Sequence, residues 1–278
     1  MASSAAGRSL SLARARSLGR ATGRLAHSTL QRERDKALRN LTIAFPDLDE
    51  VRRRVILREM FIHLGQSLFE IAWMPNLDRA MLDQTTVVDG LDNLQRAVDL
   101  NKGVVLFTGH CGNWEWMAAA IGLLGFRMNV IARELYDSRL NQFIVDSRGR
   151  HQVTTIGRGS TSSAKAMLQT LRAGEVLGVL IDQNIKAESA EVPFFGRPAS
   201  TPIGPARLAI RAGATAIAGF IERDGESQRI RFQEPIETTR NDDAIELTAR
   251  LTHAIEEQIR RVPSQWVWMH DRWRSRKP

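Results

Sequence analysis

Between Val51 and Trp73 apolar residues return every three or four positions, at Val55, Ile56, Met60, Leu64, Leu68, Ile71 and Ala72, which predicts a long helix closed by Pro75 and Asn76. A shorter helix over Lys36–Phe45 stops before Pro46, because the residue preceding a proline disfavours the α region. Beyond residue 84 the pattern changes. Short apolar runs at Thr85–Val88, Gly103–Thr108, Met128–Ala132, Val153–Ile156, Val176–Ile181 and Thr215–Ile221 are separated by helix-period segments at Leu91–Leu100, Asn113–Leu124, Ser138–Gly149, Ser162–Ala173 and Ala206–Ala212. The runs are continuously apolar rather than alternating, as strands of a sheet covered on both faces are. Arg229–Gln233 is expected to pair antiparallel after the Asp224-Gly225 turn, and Asp242–Arg260 to form the last helix. Pro193–Pro205, with four prolines and two glycines, is expected to be a loop. The predicted class is α/β, a mostly parallel central sheet flanked by helices, with N-terminal helices ahead of it. No repeat or linker divides residues 37–278, which read as one domain behind a basic segment, residues 1–36.

That basic segment carries most of the charge. Residues 1–40 hold nine Arg or Lys against two acids, Glu33 and Asp35, so nearly all of the net +8 lies there and the body is close to neutral. Rich in Ser, Ala and Arg, the segment reads as a transit peptide, a solvated and partly disordered tail, or a membrane-surface helix with Leu10, Leu18 and Leu25 among the arginines. The third reading is preferred. Nucleic-acid binding is disfavoured, since the segment lacks aromatics and the body holds no recognisable binding module. The longest near-apolar run, Trp116 to Phe126, falls well short of the roughly 20 residues that span a bilayer. A soluble or peripheral protein rather than an integral membrane protein is expected.

The densest chemistry lies in Thr108-Gly109-His110-Cys111-Gly112-Asn113-Trp114-Glu115, where a predicted strand hands over to a predicted helix. Open α/β sheets place their sites at such edges. On one helix, residues five apart would point about 140° away from each other. His110 and Glu115 are therefore expected to meet only if His110 lies in the turn and Glu115 in the first helical turn, with Gly109 and Gly112 permitting the turn. A neutral imidazole held by a carboxylate is a general base for a hydroxyl. The structural alternative is a helix cap at His110 and a favourable charge at Glu115. Asn113 is expected to cap the helix. Asp182 ends an apolar strand and should share the sheet edge with His110; with Gln183 it reads as acceptor-binding or loop-ordering, or as a simple cap. Arg133, at the end of a strand, suits a phosphate contact or an ion pair with Glu134.

Four segments, Arg39-Asn40-Leu41-Thr42-Ile43-Ala44-Phe45-Pro46-Asp47-Leu48, Gly109–Glu115, Leu180-Ile181-Asp182-Gln183-Asn184 and Pro263-Ser264-Gln265-Trp266-Val267-Trp268-Met269-His270-Asp271-Arg272-Trp273, together resemble the bacterial lipid A late acyltransferases. These are the lauroyl and myristoyl transferases of the lysophospholipid acyltransferase superfamily. Mycobacterial phosphatidylinositol mannoside acyltransferases are similar as well. The resemblance implies a glycerol-3-phosphate acyltransferase-like fold and acyl transfer from a thioester, of acyl carrier protein or CoA, to a hydroxyl of a membrane lipid such as a lipid A precursor. It implies no other cofactor, no covalent enzyme intermediate, and residence on the cytoplasmic face of a bacterial inner membrane. His110 matches the family's general base and Glu115 the acid that orients it. Arg148 matches a family arginine, as a donor to the oxyanion or a phosphate contact, with a surface ion pair as the structural alternative. The family's usual apolar anchoring helix is replaced here by the arginine-rich segment.

Cys111, the single cysteine, excludes an intramolecular disulfide and reads better as a small buried residue than as a nucleophile beside His110. His27, His63, His151, His253 and His270 show no ligand spacing, so no metal site is expected. Trp266, Trp268 and Trp273 with Arg272, Arg274, Arg276 and Lys277 suit a bilayer interface, or else the tryptophans pack on the body. Competing readings are a lipid-binding protein without catalysis, a lysophospholipid or glycolipid acyltransferase with another acceptor, and a thioesterase.

Overall fold

The computed structural model describes residues 10–158 and 161–273. Three helices come first: α1 (Leu12–Thr29), α2 (Gln31–Ala44) and α3 (Glu50–Trp73). After α4 (Arg79–Thr85), strands and helices alternate: β1 (Thr86–Asp89), α5 (Leu91–Asp99), β2 (Val104–Thr108), α6 (Trp114–Leu123), β3 (Met128–Ala132), α7 (Ser138–Arg150), β4 (Val153–Gly157), α8 (Thr161–Arg172) and β5 (Val176–Leu180). The chain continues through β6 (Ser189–Phe194), β7 (Arg197–Pro202), α9 (Gly204–Ala212), β8 (Thr215–Asp224), β9 (Ser227–Phe232), β10 (Ile236–Glu237) and α10 (Ala244–Arg261).

The main sheet has the order β1-β9-β8-β2-β5-β3-β4, with β10 added to β8. Its centre, β8-β2-β5-β3-β4, is parallel, and β9 returns antiparallel to β8 as expected. Successive residues of a strand face opposite ways, and β2 divides accordingly. Val105 and Phe107 enter a core with Leu177, Val179, α9 and α10, whereas Val104 and Leu106 enter a second core with α5 and α6. Both faces are covered, which is why the strands read as continuous apolar runs.

Pro193–Pro205 is not a loop. It forms most of the β6–β7 hairpin, turning at Phe195 and Gly196, both with positive φ. Two of its prolines, Pro193 and Pro198, face each other in register, and a two-stranded ribbon has free edges on which a missing N–H costs no ladder bond. The prolines hid a strand pair.

The basic segment is likewise not a detached arm from residue 10 onward. Helix α1 lies along α3 so closely that a Cβ at Gly65 would meet the Gly19 carbonyl oxygen at 2.2 Å, and one at Gly23 the Phe61 carbonyl at 2.3 Å. Three glycines, Gly19, Gly23 and Gly65, let two backbones touch. The outward face keeps Leu18 and Leu25 exposed, while Arg16 is buried. Residues 1–9 lie outside the described residues.

Gly65→Ala should therefore separate α1 from α3 and cost about 1–3 kcal/mol of stability, read as a lowered midpoint in urea. An unchanged midpoint would contradict the close helix contact.

Candidate active site

Register places the two central groups. Thr108, the last residue of β2, is paired with Leu180, the last of β5. His110 and Asp182 each follow two residues later, so parallel neighbours deliver them side by side at the carboxyl edge of the sheet. The His110 ring Nδ1 lies 2.8 Å from Asp182 Oδ1, and the His110 backbone N–H donates to Asp182 Oδ2 at 2.7 Å. A third donor, the Trp266 indole Nε1–H, reaches Asp182 Oδ2 at 2.7 Å. Asp182 is buried, and burial disfavours its charge. The His110 imidazole, its ring and backbone hydrogen bonds, and the Trp266 indole overcome that penalty and hold the carboxyl at about 2.

His110 lies in the turn and Glu115 in the first turn of α6, as expected, but the expected contact between them is replaced. Glu115 is forked on Arg148 of α7, with Nε to Oε2 at 2.8 Å and Nη2 to Oε1 at 2.7 Å. The same guanidinium donates to Thr155 on β4 at 3.1 Å. The carboxylate that orients the imidazole is thus Asp182. The reason is directional: Nδ1 faces the end of β5, whereas α6 carries Glu115 toward α7. Gly112 makes the turn, with φ of +58°. A Cβ there would meet the Ile221 carbonyl oxygen at 2.4 Å, so only glycine satisfies both conditions.

Asn113 caps α6, its side chain accepting from the Trp116 N–H at 3.1 Å. Its amide Nδ2 donates to Glu70 Oε2 at 2.9 Å. Glu70, fully buried on α3, also receives both Nη groups of Arg223 at 2.7 Å and Arg16 Nε at 2.7 Å. Burial opposes the Glu70 charge, and the Arg223 hydrogen bonds with the nearby guanidiniums outweigh it, lowering its pKa. One carboxylate therefore ties α1, α3 and β8 to the start of α6. Sequence reasoning missed Glu70, Arg16, Arg223 and Trp266. The available signal was that Glu70 falls on the buried stripe of α3, with Gln66 four residues before it and Trp73 three after.

The tail explains why four distant segments share one pattern. Gly112 N–H donates to the Gln265 carbonyl at 2.8 Å and Val267 N–H to the His110 carbonyl at 3.2 Å, so the tail runs beside the histidine turn. Asn40 of α2 donates to the carbonyls of Trp268 and His270 at 2.7 and 2.6 Å. His270 Nε2 accepts from the Asn184 N–H at 2.9 Å, and burial lowers the pKa of that imidazole. Trp266 and Trp268 are buried, Trp273 is half-buried on Phe194, and Arg272 is buried against Ser200 and Thr201. Up to Trp273 the tail braces the site, with Trp266 and Trp268 packed on the body; Arg274, Arg276 and Lys277 lie outside the described residues. Cys111 is buried, and burial followed by the Asp182 charge pushes its thiol well up, which disfavours the thiolate.

Above this floor lies a cleft of about 1090 Å³. His110, Glu115 and Arg148 line it together with Leu106, Met117 and Val130, so polar groups sit at one part of a largely apolar channel. Gln183 and Arg133 also line it, Arg133 exposed at the rim with no carboxylate at ion-pair distance among the described residues. Among those residues no group of three or more His, Cys, Asp or Glu is placed to hold a metal ion. Among the described residues no helix is long and apolar enough to cross a membrane.

The family model described as bacterial lipid A biosynthesis acyltransferase matches residues 6–275. The chain is 28% identical to the lipid A biosynthesis palmitoleoyltransferase of Escherichia coli (strain K12) over 270 residues, 93% of this chain and 84% of that protein. To the lipid A biosynthesis lauroyltransferase of the same strain it is 27% identical, covering 93% and 85%. To the phosphatidylinositol mannoside acyltransferase of Mycobacterium tuberculosis (strain CDC 1551 / Oshkosh) it is 25% identical over 217 residues, covering 75% and 67%.

Two outcomes check these contacts. Glu70→Gln would leave Arg16 and Arg223 buried beside a neutral group and should cost about 3–5 kcal/mol in denaturant unfolding; a cost below about 1 kcal/mol would refute the ion cluster. Asp182, depressed to about 2 from 3.8, contributes stability that is complete above about pH 4 and lost as pH falls through about 2. The stability gap between wild type and Asp182→Asn should therefore shrink by on the order of 2 kcal/mol over that window, and a pH-independent gap would be inconsistent with it.

Proposed function

The chain belongs to the bacterial lipid A biosynthesis acyltransferases and is an O-acyltransferase; from that premise we propose that it moves a fatty acyl group from the thioester of acyl carrier protein or CoA to a hydroxyl of a membrane lipid such as a lipid A precursor. The observation that carries this reading is the His110–Asp182 pair, 2.8 Å apart, at the wall of an apolar cleft. With Nδ1 committed to Asp182, the imidazole offers Nε2 to the cleft as a proton acceptor.

In this mechanism the acceptor hydroxyl gives its proton to His110 Nε2 as its oxygen bonds to the thioester carbonyl carbon. The negative charge of Asp182 stabilises the imidazolium that results. Collapse of the tetrahedral oxyanion breaks the carbon–sulfur bond, and the departing thiolate takes the proton back from His110. The products are an ester and a free thiol, and no acyl-enzyme forms. Arg148 supplies hydrogen bonds rather than net charge, because Glu115 offsets its cation. The Glu115–Arg148 pair joins α6 to α7 and keeps the cleft walls at fixed separation. Arg133, at the rim without an ion pair, is assigned to an acceptor phosphate, with Gln183 as a further polar contact.

Relatives are named as lipid A biosynthesis and phosphatidylinositol mannoside acyltransferases, and those names support a membrane glycolipid as the acceptor class proposed for this chain. The apolar lining of the cleft suits the acyl chain of the donor. Work at a bacterial inner membrane, on the cytoplasmic face where soluble thioester donors are found, follows from this chemistry.

Turnover of a labelled acyl thioester with a lipid A precursor tests the assignment. His110→Ala should lower acceptor-dependent ester formation by about 10²–10⁴-fold, and Asp182→Asn should lower kcat with little change in KM. Full activity in His110→Ala, or label released as free acid at the same rate with and without acceptor, would refute it.

A further inference from the structure

Leu135, Tyr136, Leu140 and Phe143 form an unusual surface. Leu135 is 42%, Leu140 51% and Phe143 38% exposed, and Tyr136 is fully exposed, so four large apolar or aromatic side chains face solvent within nine residues. They occupy the β3–α7 connection and the outer side of α7. The inner side of the same helix, Ile144, Val145 and Arg148, lines the cleft. Helix α7 thus turns apolar side chains both toward the cleft and toward solvent, where Leu140 and Phe143 stand among the exposed Arg139, Gln142 and Asp146. A surface helix with only the cleft to cover would be polar on its outer face.

Cations flank this apolar rim. The Arg158 N–H donates to the Ala132 carbonyl at 2.9 Å, which sets Arg158 beside Arg133 where β3 and β4 end. Both line the cleft mouth, and Arg139 lies one turn before Phe143. Among the described residues none of the three has a carboxylate at ion-pair distance. Three acids lie on this stretch and all are exposed: Asp137 caps α7 through the Arg139 and Leu140 N–H groups, Asp146 accepts from Gln142 on the same helix, and Glu134 is the one at the rim itself. Exposed aromatic and aliphatic groups ringed by unpaired arginines match the boundary between acyl chains and anionic headgroups. A second copy of the chain fits less well, since four side chains fall far short of the roughly 800 Å² per partner of a stable interface.

We propose that this rim is the surface by which the protein seats on an anionic bilayer: Tyr136, Leu140 and Phe143 enter the headgroup layer, Arg139 and Arg158 meet lipid phosphates, and the cleft opens against the membrane with Arg133 at its mouth for the acceptor. The inference rests on the reading of the acceptor as a membrane lipid. It moves membrane contact away from the buried tail tryptophans and away from the outer face of α1, whose exposed Leu18 and Leu25 are the rival surface.

The buried Cys111 leaves an introduced cysteine free to report alone. A polarity-sensitive dye placed by Tyr136→Cys, or by Leu25→Cys on α1, is followed on adding vesicles of phosphatidylcholine with or without phosphatidylglycerol. The expected result is a blue shift at position 136 that needs the anionic lipid, with position 25 unchanged. The combined Tyr136→Ser, Leu140→Gln, Phe143→Gln variant should partition to vesicles about tenfold less or weaker still, with turnover on a detergent-dispersed acceptor retained. A shift at 25 and not at 136, equal partitioning of the combined variant, or a loss of self-association in place of vesicle binding would each overturn the proposal. Because partitioning is read without turnover, an inactive enzyme that still binds through position 136 would count against the acyl-transfer reading alone.

Discussion

A single buried carboxylate organises the reactive end of this protein. Asp182 sits where water does not reach it, and an isolated charge there would be neutralised. Three donors from two other chain segments prevent that: the ring and backbone of His110, and the indole of Trp266. The same bonds that keep Asp182 charged fix the imidazole and dock the tail. Stability and chemistry therefore share one set of contacts. Neither partner can be removed without leaving the others unsatisfied in a place where that is costly.

Glu70 repeats the arrangement one layer further from the cleft. Its charge is held by Arg16 and Arg223, and its remaining capacity goes to Gln228 and to Asn113, the residue that caps α6. Through that cap the packing of α1 on α3 reaches the helix that carries Glu115. The arginine-rich N-terminal stretch thus contributes at least one of its cations to the interior, a use that net charge along a sequence does not reveal. Among the described residues Arg20 reaches Glu226 and Arg34 the Ser28 carbonyl, while Arg14 and Arg24 are exposed on α1.

Much of the layered fold could be read from the chain because both faces of the sheet are covered. Runs such as Val104–Phe107 and Val176–Val179 are apolar throughout and stand out from the helical periods between them. The β6–β7 hairpin escaped because prolines argue against strands, a rule that weakens in a two-stranded ribbon. At the site, His110 and Asp182 were both recognisable as polar residues ending apolar strands. Their pairing was not, since it depends on β5 lying next to β2 although 72 positions separate the two residues. Local spacing favoured Glu115 as the partner, and spacing carries no information about strand order. The family pattern had the same limit: it marked four segments without saying that the tail lies against the histidine turn, Asn40 against the tail, and Trp266 against Asp182.

The central claim is that Asp182 holds His110 in the tautomer with the proton on Nδ1, leaving Nε2 free to accept a proton. Nitrogen-15 NMR of the imidazoles, with the His110 signals assigned by their loss in His110→Gln, tests it most directly. A protonated Nδ1 and an unprotonated Nε2 in the neutral ring, with that preference lost in Asp182→Asn and kept in Glu115→Gln, is the predicted outcome. A neutral His110 carrying its proton on Nε2, or a preference that depends on Glu115 and not on Asp182, would contradict the account.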